Sequence, residues 1–123
     1  MSKEILKYML PDGILDHFEI TKLSESIDPE TQVTVLRIDL EELNEIPSGY
    51  IKEEYESKGF YPITIVKDFP VRDKALILAV KRRRWRHKVN KNEIHSDYTF
   101  IATGAKITQD LSDFLKEADR DES

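Results

Sequence analysis

The amino-acid sequence predicts one α+β domain, an antiparallel β-meander with a helical segment before it and a helix after it. Three observations predict this. Runs rich in β-branched and aromatic residues, separated by turn residues, fill the stretch from about 59 to 103. Apolar residues recur at helical spacing near both ends. A chain of 123 residues with 39% hydrophobic content is long enough for one core and short for two.

Each element follows in order. Ile5, Leu6, Met9, Leu10, Ile14, Leu15 and Phe18 fall at helical intervals, and Pro11-Asp12-Gly13 divides them into two short helices or one kinked helix. Glu19 to Glu25 reads as a short strand and Thr31 to Leu40 as a better one, joined through an Asp28-Pro29-Glu30 turn into a hairpin. Residues 41 to 58 are charge-rich, with Pro47-Ser48-Gly49 as a breaker and Ile51/Tyr55 marking a short helix. Phe60, Ile63, Ile65 and Val66 lead to a turn over Asp68 to Lys74, after which Ala75 to Val89 is the longest strand candidate. A second turn at Asn90-Lys91-Asn92 leads to a strand from Tyr98 to Ala102 and completes a three-stranded meander. After Gly104, Thr108 is a suitable N-cap for a helix over about 107–118, whose apolar face of Leu111, Phe114, Leu115 and Ala118 is expected to pack on the sheet. Asp119 to Ser123 are polar and expected to fray. The whole is one domain in three parts, about 1–58, 59–103 and 107–118.

Charge is distributed unevenly. The net charge is −5, yet residues 1–66 carry 6 basic and 14 acidic side chains, residues 67–91 carry 10 and 2, and residues 92–123 carry 3 and 8. A ligand touching the middle segment meets a basic field that persists over a Debye length of about 8 Å at physiological salt. Its densest part is Lys81-Arg82-Arg83-Arg84-Trp85-Arg86-His87-Lys88. On one continuous strand, alternate residues share a face. Leu76, Leu78 and Val80 are then followed on the same face by Arg82, Arg84, Arg86 and Lys88, spaced about 6.6 Å apart. That is near the spacing of phosphates along a nucleic-acid strand, which guanidinium groups hold through charge-assisted hydrogen bonds. Trp85 is placed to stack on an unpaired base, to wedge at a groove, or to support the strand from the core. Solvated arginines protecting a sheet edge are the simpler alternative, but five basic residues in six exceed what edge protection needs.

With these pieces in place the chain resembles the N-terminal region of ISAon-type transposases of bacterial insertion sequences, a short reading frame beside the catalytic one. The similarity rests on residues 10–21 (from Leu10-Pro11-Asp12-Gly13 to Thr21), Ser57-Lys58-Gly59-Phe60, Asp68 to Lys74, Lys81 to Trp85, residues 102–108 and Phe114-Leu115-Lys116. They cover most of the chain in the family's order. The region is similar in turn to the zinc ribbon of ISL-group transposases, in which an Asp-Leu-Pro turn leads into a basic, aromatic strand ending at a metal-binding cysteine. Asp68-Phe69-Pro70 and Arg83-Arg84-Trp85-Arg86 match that strand, and His87 stands where the cysteine would be. The chain has no cysteine, and one imidazole cannot make a four-coordinate site, so the resemblance implies a ribbon that has lost its metal. Asp73 stands where relatives usually have glycine, and aspartate tolerates the left-handed conformation a turn there would need.

The resemblance implies binding of double-stranded terminal-repeat DNA in support of a catalytic transposase subunit with an RNase-H-like domain, without catalysis by this chain. The expected DNA-binding residues are Arg72, Lys74, Lys81, Arg82, Arg83, Arg84, Trp85, Arg86, Lys88 and Lys91, with Arg72 and Lys74 flanking the row from the turn. The rival reading is a protein-interaction module whose basic hairpin docks an acidic partner, such as the catalytic subunit or another copy; a homodimer stays open. No cofactor and no metal are expected. His87 and His95 could face each other across a hairpin, but with His17 they are the only histidines, and no carboxylate or thiol is visibly placed to complete a site. Glu41/Glu42 and Glu53/Glu54 read as solvated faces, and no nucleophile motif or phosphate loop occurs. No run of 18 apolar residues and no signal-peptide pattern is present, which predicts a soluble, cytoplasmic protein with no membrane partner.

Overall fold

The computed structural model describes residues 6–101 and 106–121, with side chains through residue 118. Ile5, Ala102, Gly104 and the frayed end assigned to Asp119 to Ser123 lie, for their side chains, outside the described residues.

The fold is α+β, as the sequence predicts, but it is not a meander. Four strands form one sheet in the order β1-β2-β5-β4 and three form another in the order β3-β6-β7. The N-terminal segment is a turn at Leu6 to Met9 followed by one short helix, α1 (Ile14–His17), begun at Gly13 with φ 81°. Phe18 is already extended (φ −132°, ψ 150°), so the helical spacing of the apolar residues ends one position before the last of them.

β1 (Phe18–Ile27) and β2 (Thr34–Glu42) form the expected antiparallel hairpin. The Asp28 carboxylate closes its turn by accepting the backbone N–H of Glu30 at 2.9 Å. A bulge between Ile20 and Lys22 lets Ile20 pair with Leu40 and Leu23 with Ile38, so both remain on the core face although they are three residues apart.

The short helix marked by Ile51 and Tyr55 is only a 3-10 turn at Lys52–Glu54, and Tyr55 already begins a strand that the charge-rich stretch did not announce, β3 (Tyr55–Phe60). β4 (Thr64–Val71) and β5 (Lys74–Lys81) form the second expected hairpin. Its tight turn places Arg72, not Asp73, at positive φ (60°). A side chain there costs about 1 kcal/mol, so Arg72→Gly is expected to hold or raise stability by about 0.5 kcal/mol despite glycine's unfolded-state entropy. Thermal unfolding checks this, and a clear loss would mean that the arginine side chain itself braces the turn.

Two departures explain why the meander fails. β5 runs parallel to β2, pairing from Val35↔Ala75 to Glu41↔Lys81, and is flanked by a strand on each side. The unbroken apolar run Ala75 to Val80 suits such a central position. The chain then leaves the sheet at Arg82, and β6 (Arg83–His87) pairs with β3 and with β7 (Glu93–Ile94). The predicted strand 75–89 is therefore two strands in two sheets. The turn near Lys91 is present, with His87 and Asn92 hydrogen-bonded at 2.8 Å. Beyond β7 the strand predicted from Tyr98 is not formed over residues 98–101: Tyr98, Phe100 and Ile101 pack instead against the core of the first sheet, with Phe18, Ile38, Leu40, Val66, Leu78 and Val80.

Helix α2 (Gln109–Asp121) starts where expected. Thr108 is fully buried; its hydroxyl donates to Asp68 at 2.8 Å and accepts the N–H of Leu111 at 3.3 Å. Its own N–H donates to the Lys67 carbonyl at 2.9 Å, which pins the helix start to the edge of β4. Thr108→Val is expected to cost about 1–2 kcal/mol, measured by urea unfolding, because both the cap and the partner of Asp68 are lost. Fixed at that edge, the helix does not lay its apolar face on the sheet as predicted. Phe114 and Leu115 are 57% and 47% exposed, and the Phe114 ring meets Phe69 edge-on, at 5.5 Å between ring centroids.

Candidate nucleic-acid interface

The second sheet carries most of the cations singled out in the sequence. β6 is held between β3 and β7 by the pairs Glu56↔Arg86↔Glu93 and Ser57↔Trp85↔Ile94. Paired residues share a face. One face therefore presents Arg84 and Arg86 among Glu56 and Glu93, and the other carries Trp85, Ser57 and Ile94. Gly59, at φ 81°, absorbs the bulge that sets two residues of β3 opposite Arg84.

The continuous comb of cations is absent, and each expected site residue has its own place. Arg84 is bound to Glu93 through Nε (3.2 Å) and Nη2 and lies over the Tyr61 ring at 5.6 Å. The carboxylate raises the Arg84 pKa above its ordinary value. Arg86 donates to Glu56 at 3.2 and 3.4 Å, and this hydrogen bonding holds the Glu56 carboxyl below the usual range. Lys81 stands on the first sheet, 3.9 Å from Glu41 and over Phe60 at 4.7 Å. Arg82 lies at the break between the sheets: Nη2 donates to the Ser96 carbonyl and approaches Asp97 at 3.7 Å, while Nε is buried without a partner among the described residues. Arg83 serves the fold, donating N–H to Glu42 Oε1 at 2.7 Å and Nε to the Glu42 carbonyl at 3.0 Å, with its guanidinium 4.7 Å from the Phe60 ring centroid.

Trp85 is 4% exposed, which corrects the stacking and wedging roles and leaves the supporting one. Lys88 is exposed where the strand ends, and Lys91 donates from Nζ to the Lys88 carbonyl at 2.9 Å. Arg72 and Lys74 do not flank the row. The length of β5 separates them from β6, roughly 23 Å at 3.3 Å per residue, and Lys74 is paired with Asp73 at 3.2 Å. His87 and His95 also part company: His87 Nδ1 accepts the N–H of Val89 at 3.1 Å, and His95 Nε2 lies 3.2 Å from Asp97. Among the described residues, no three His, Asp or Glu side chains are grouped to hold a metal, and no helix is long and apolar enough to cross a membrane.

No family model, curated protein or solved structure matches the chain.

The partners of these cations are what sequence reasoning missed. Glu42, read as part of a solvated face, is 5% exposed and receives Arg83 on one oxygen and the Tyr98 hydroxyl on the other. The signal was present in the alternation Leu36, Ile38, Leu40, which continues to position 42 on the core face. Burial, and then the hydrogen bond to Glu42, push the Tyr98 pKa well above its ordinary value of 10.0. Because the folded-state value is the higher one, this contribution to stability is whole below pH 10 and is lost as pH rises toward the folded-state pKa. Tyr98→Phe is expected to flatten the fall of stability above pH 10, read from unfolding midpoints.

Proposed function

We propose that this chain is a DNA-binding accessory domain of a transposase, contacting phosphates through Arg84 and Arg86 on β6 and Lys88 and Lys91 at the turn that follows. The observation that carries this reading is the density of cations on one short strand and its turn: between Lys81 and Lys91 there are seven basic side chains and no acidic one. The family resemblance supplies the context of terminal repeats and a catalytic subunit with an RNase-H-like domain.

Pairing with Glu56 and Glu93 weakens the reading without removing it. Both pairs are open to water, where ion pairs are weak and exchange readily, and a duplex offers a denser row of negative charge than two carboxylates do. An acidic protein partner would have to break the same pairs with less charge. Four neutralised phosphates predict a slope of about −3.6 in log affinity against log salt, or roughly a hundredfold loss between 50 and 200 mM. A salt titration on duplex DNA checks this, and a slope near zero would overturn it.

One observation favours a second role in protein interaction. Phe114 and Leu115 on α2, beside Phe69, leave apolar surface exposed far from β6 along the fold. If a catalytic subunit docks there, its co-purification survives replacement of Arg84 and Arg86.

A further inference from the structure

A cleft of about 580 Å³ lies between the loop after β2 and residues 95–98, lined by His17, Glu42, Glu45, Tyr50, Asp97 and Tyr98, among others. It is as large as many small-molecule sites. None of its lining residues is used by the phosphate contacts proposed above, so what fills it is a separate question from whether the chain binds DNA. We propose that the cleft is a binding site for an aliphatic polyamine, a thin chain carrying two or more ammonium groups.

Three carboxylates line the cleft, and no lysine or arginine does. Glu42 is the telling one. It is 5% exposed, and its carboxylate is held by two neutral donors, the Arg83 backbone N–H at 2.7 Å and the Tyr98 hydroxyl. The Arg83 guanidinium turns instead to the Glu42 carbonyl and the Phe60 ring, and Glu42 forms no ion pair among the described residues. Buried carboxylates are ordinarily paired with a cation. The two oxygens together offer about four acceptor positions, which these two donors only half fill. Glu45 is exposed and has no side-chain partner among the described residues. Asp97 meets His95 and Arg82 through Oδ1 alone, which leaves Oδ2 without a partner among the described residues. The cleft therefore holds more negative charge than its own surroundings match.

The arrangement selects the kind of cation. Among the described residues, no three His, Asp or Glu side chains are grouped to hold a metal, so the carboxylates of the cleft do not converge on one ion. Charges set apart in a cleft match charges set apart along a chain. Rings and apolar groups complete the lining: His17 and Tyr98, tilted together at 5.2 Å, with Tyr50, Leu43, Ile46 and Pro47. Methylene groups gain by packing on such surfaces, and ammonium groups are attracted to the faces of tyrosine rings. Ser48 and Tyr50 bring hydroxyls that accept hydrogen bonds from further N–H donors. A single lysine side chain carries one charge and would leave the other carboxylates unmatched.

The test titrates the whole chain with spermidine, without DNA and at fixed ionic strength, by calorimetry and NMR. One saturable site is expected, with the largest shifts at the rings of His17, Tyr50, His95 and Tyr98. Glu45 is exposed, and Tyr50 is half exposed and meets Tyr55 at 5.5 Å, so replacing either leaves the core whole. Glu45→Gln and Tyr50→Ala are each expected to weaken binding about threefold, and together about tenfold. Glu30→Gln removes the same charge from the turn at the far end of the β1–β2 hairpin and should leave affinity unchanged. Nα-acetyl-lysine methylamide, with one ammonium group, should bind at least about tenfold more weakly than spermidine. Shifts that never saturate, or an equal loss for Glu30→Gln, would mean diffuse attraction to an acidic chain and overturn the site. Equal affinity for the lysine derivative would make the cleft a lysine pocket, and displacement of spermidine by an equivalent amount of magnesium would make it a metal site; either overturns the polyamine.

Discussion

Glu42→Ala is expected to destabilise the protein by about 3 kcal/mol, a large share of what a domain of this size holds in reserve. Glu42 ends β2 at the junction of the two sheets. Its side chain receives the backbone N–H of Arg83, the first residue of β6, and the hydroxyl of Tyr98, whose ring packs against Phe18 at 5.2 Å. Removing the carboxylate strands two donors in a place that water reaches poorly, and each unsatisfied donor costs about 1–3 kcal/mol. Glu42→Gln keeps an acceptor and should lose less, about half as much. Urea unfolding at neutral pH distinguishes the two, and a loss below about 1 kcal/mol for the alanine variant would mean that the sheets are held together by packing alone.

That junction also marks where the sequence stops being readable. Local signals carried the hairpins: the Asp28 turn, the tight turn before Lys74 and the cap at Thr108 all follow from chemistry within a few residues. Pairings across the chain were not legible. Nothing in residues 75–80 says that β5 lies parallel to β2, because a central strand and a long edge strand read alike until the neighbours are known. Nor does any glycine or proline announce the break at Arg82. The chain leaves one sheet there because Arg83 is captured by Glu42, 41 residues away. The candidate site suffered from the same blindness. The row of cations was evident, but Glu56 and Glu93 come from strands too short or too charged to declare themselves, so the pairs that neutralise Arg84 and Arg86 could not be foreseen.

These pairs yield the sharpest functional expectation, because the carboxylates and the phosphates compete for the same guanidinium groups. Arg84→Ala with Arg86→Ala should remove two phosphate contacts, reduce the salt slope from about −3.6 to about −1.8, and weaken binding tenfold or more at low salt. The opposite change is the more telling one. If DNA must displace Glu56 and Glu93, then Glu56→Gln and Glu93→Gln free the arginines beforehand, and each should tighten binding by about twofold to fivefold, with larger gains at low salt than at high. A purely structural role for β6 predicts otherwise: the glutamine variants would lower stability slightly and leave affinity where it was. Fluorescence anisotropy on one duplex across the three variants and the unaltered protein separates the cases. Weaker binding after loss of the carboxylates would mean that Glu56 and Glu93 hold the arginines in their working geometry instead of masking them, since orientation would then outweigh the charge they remove.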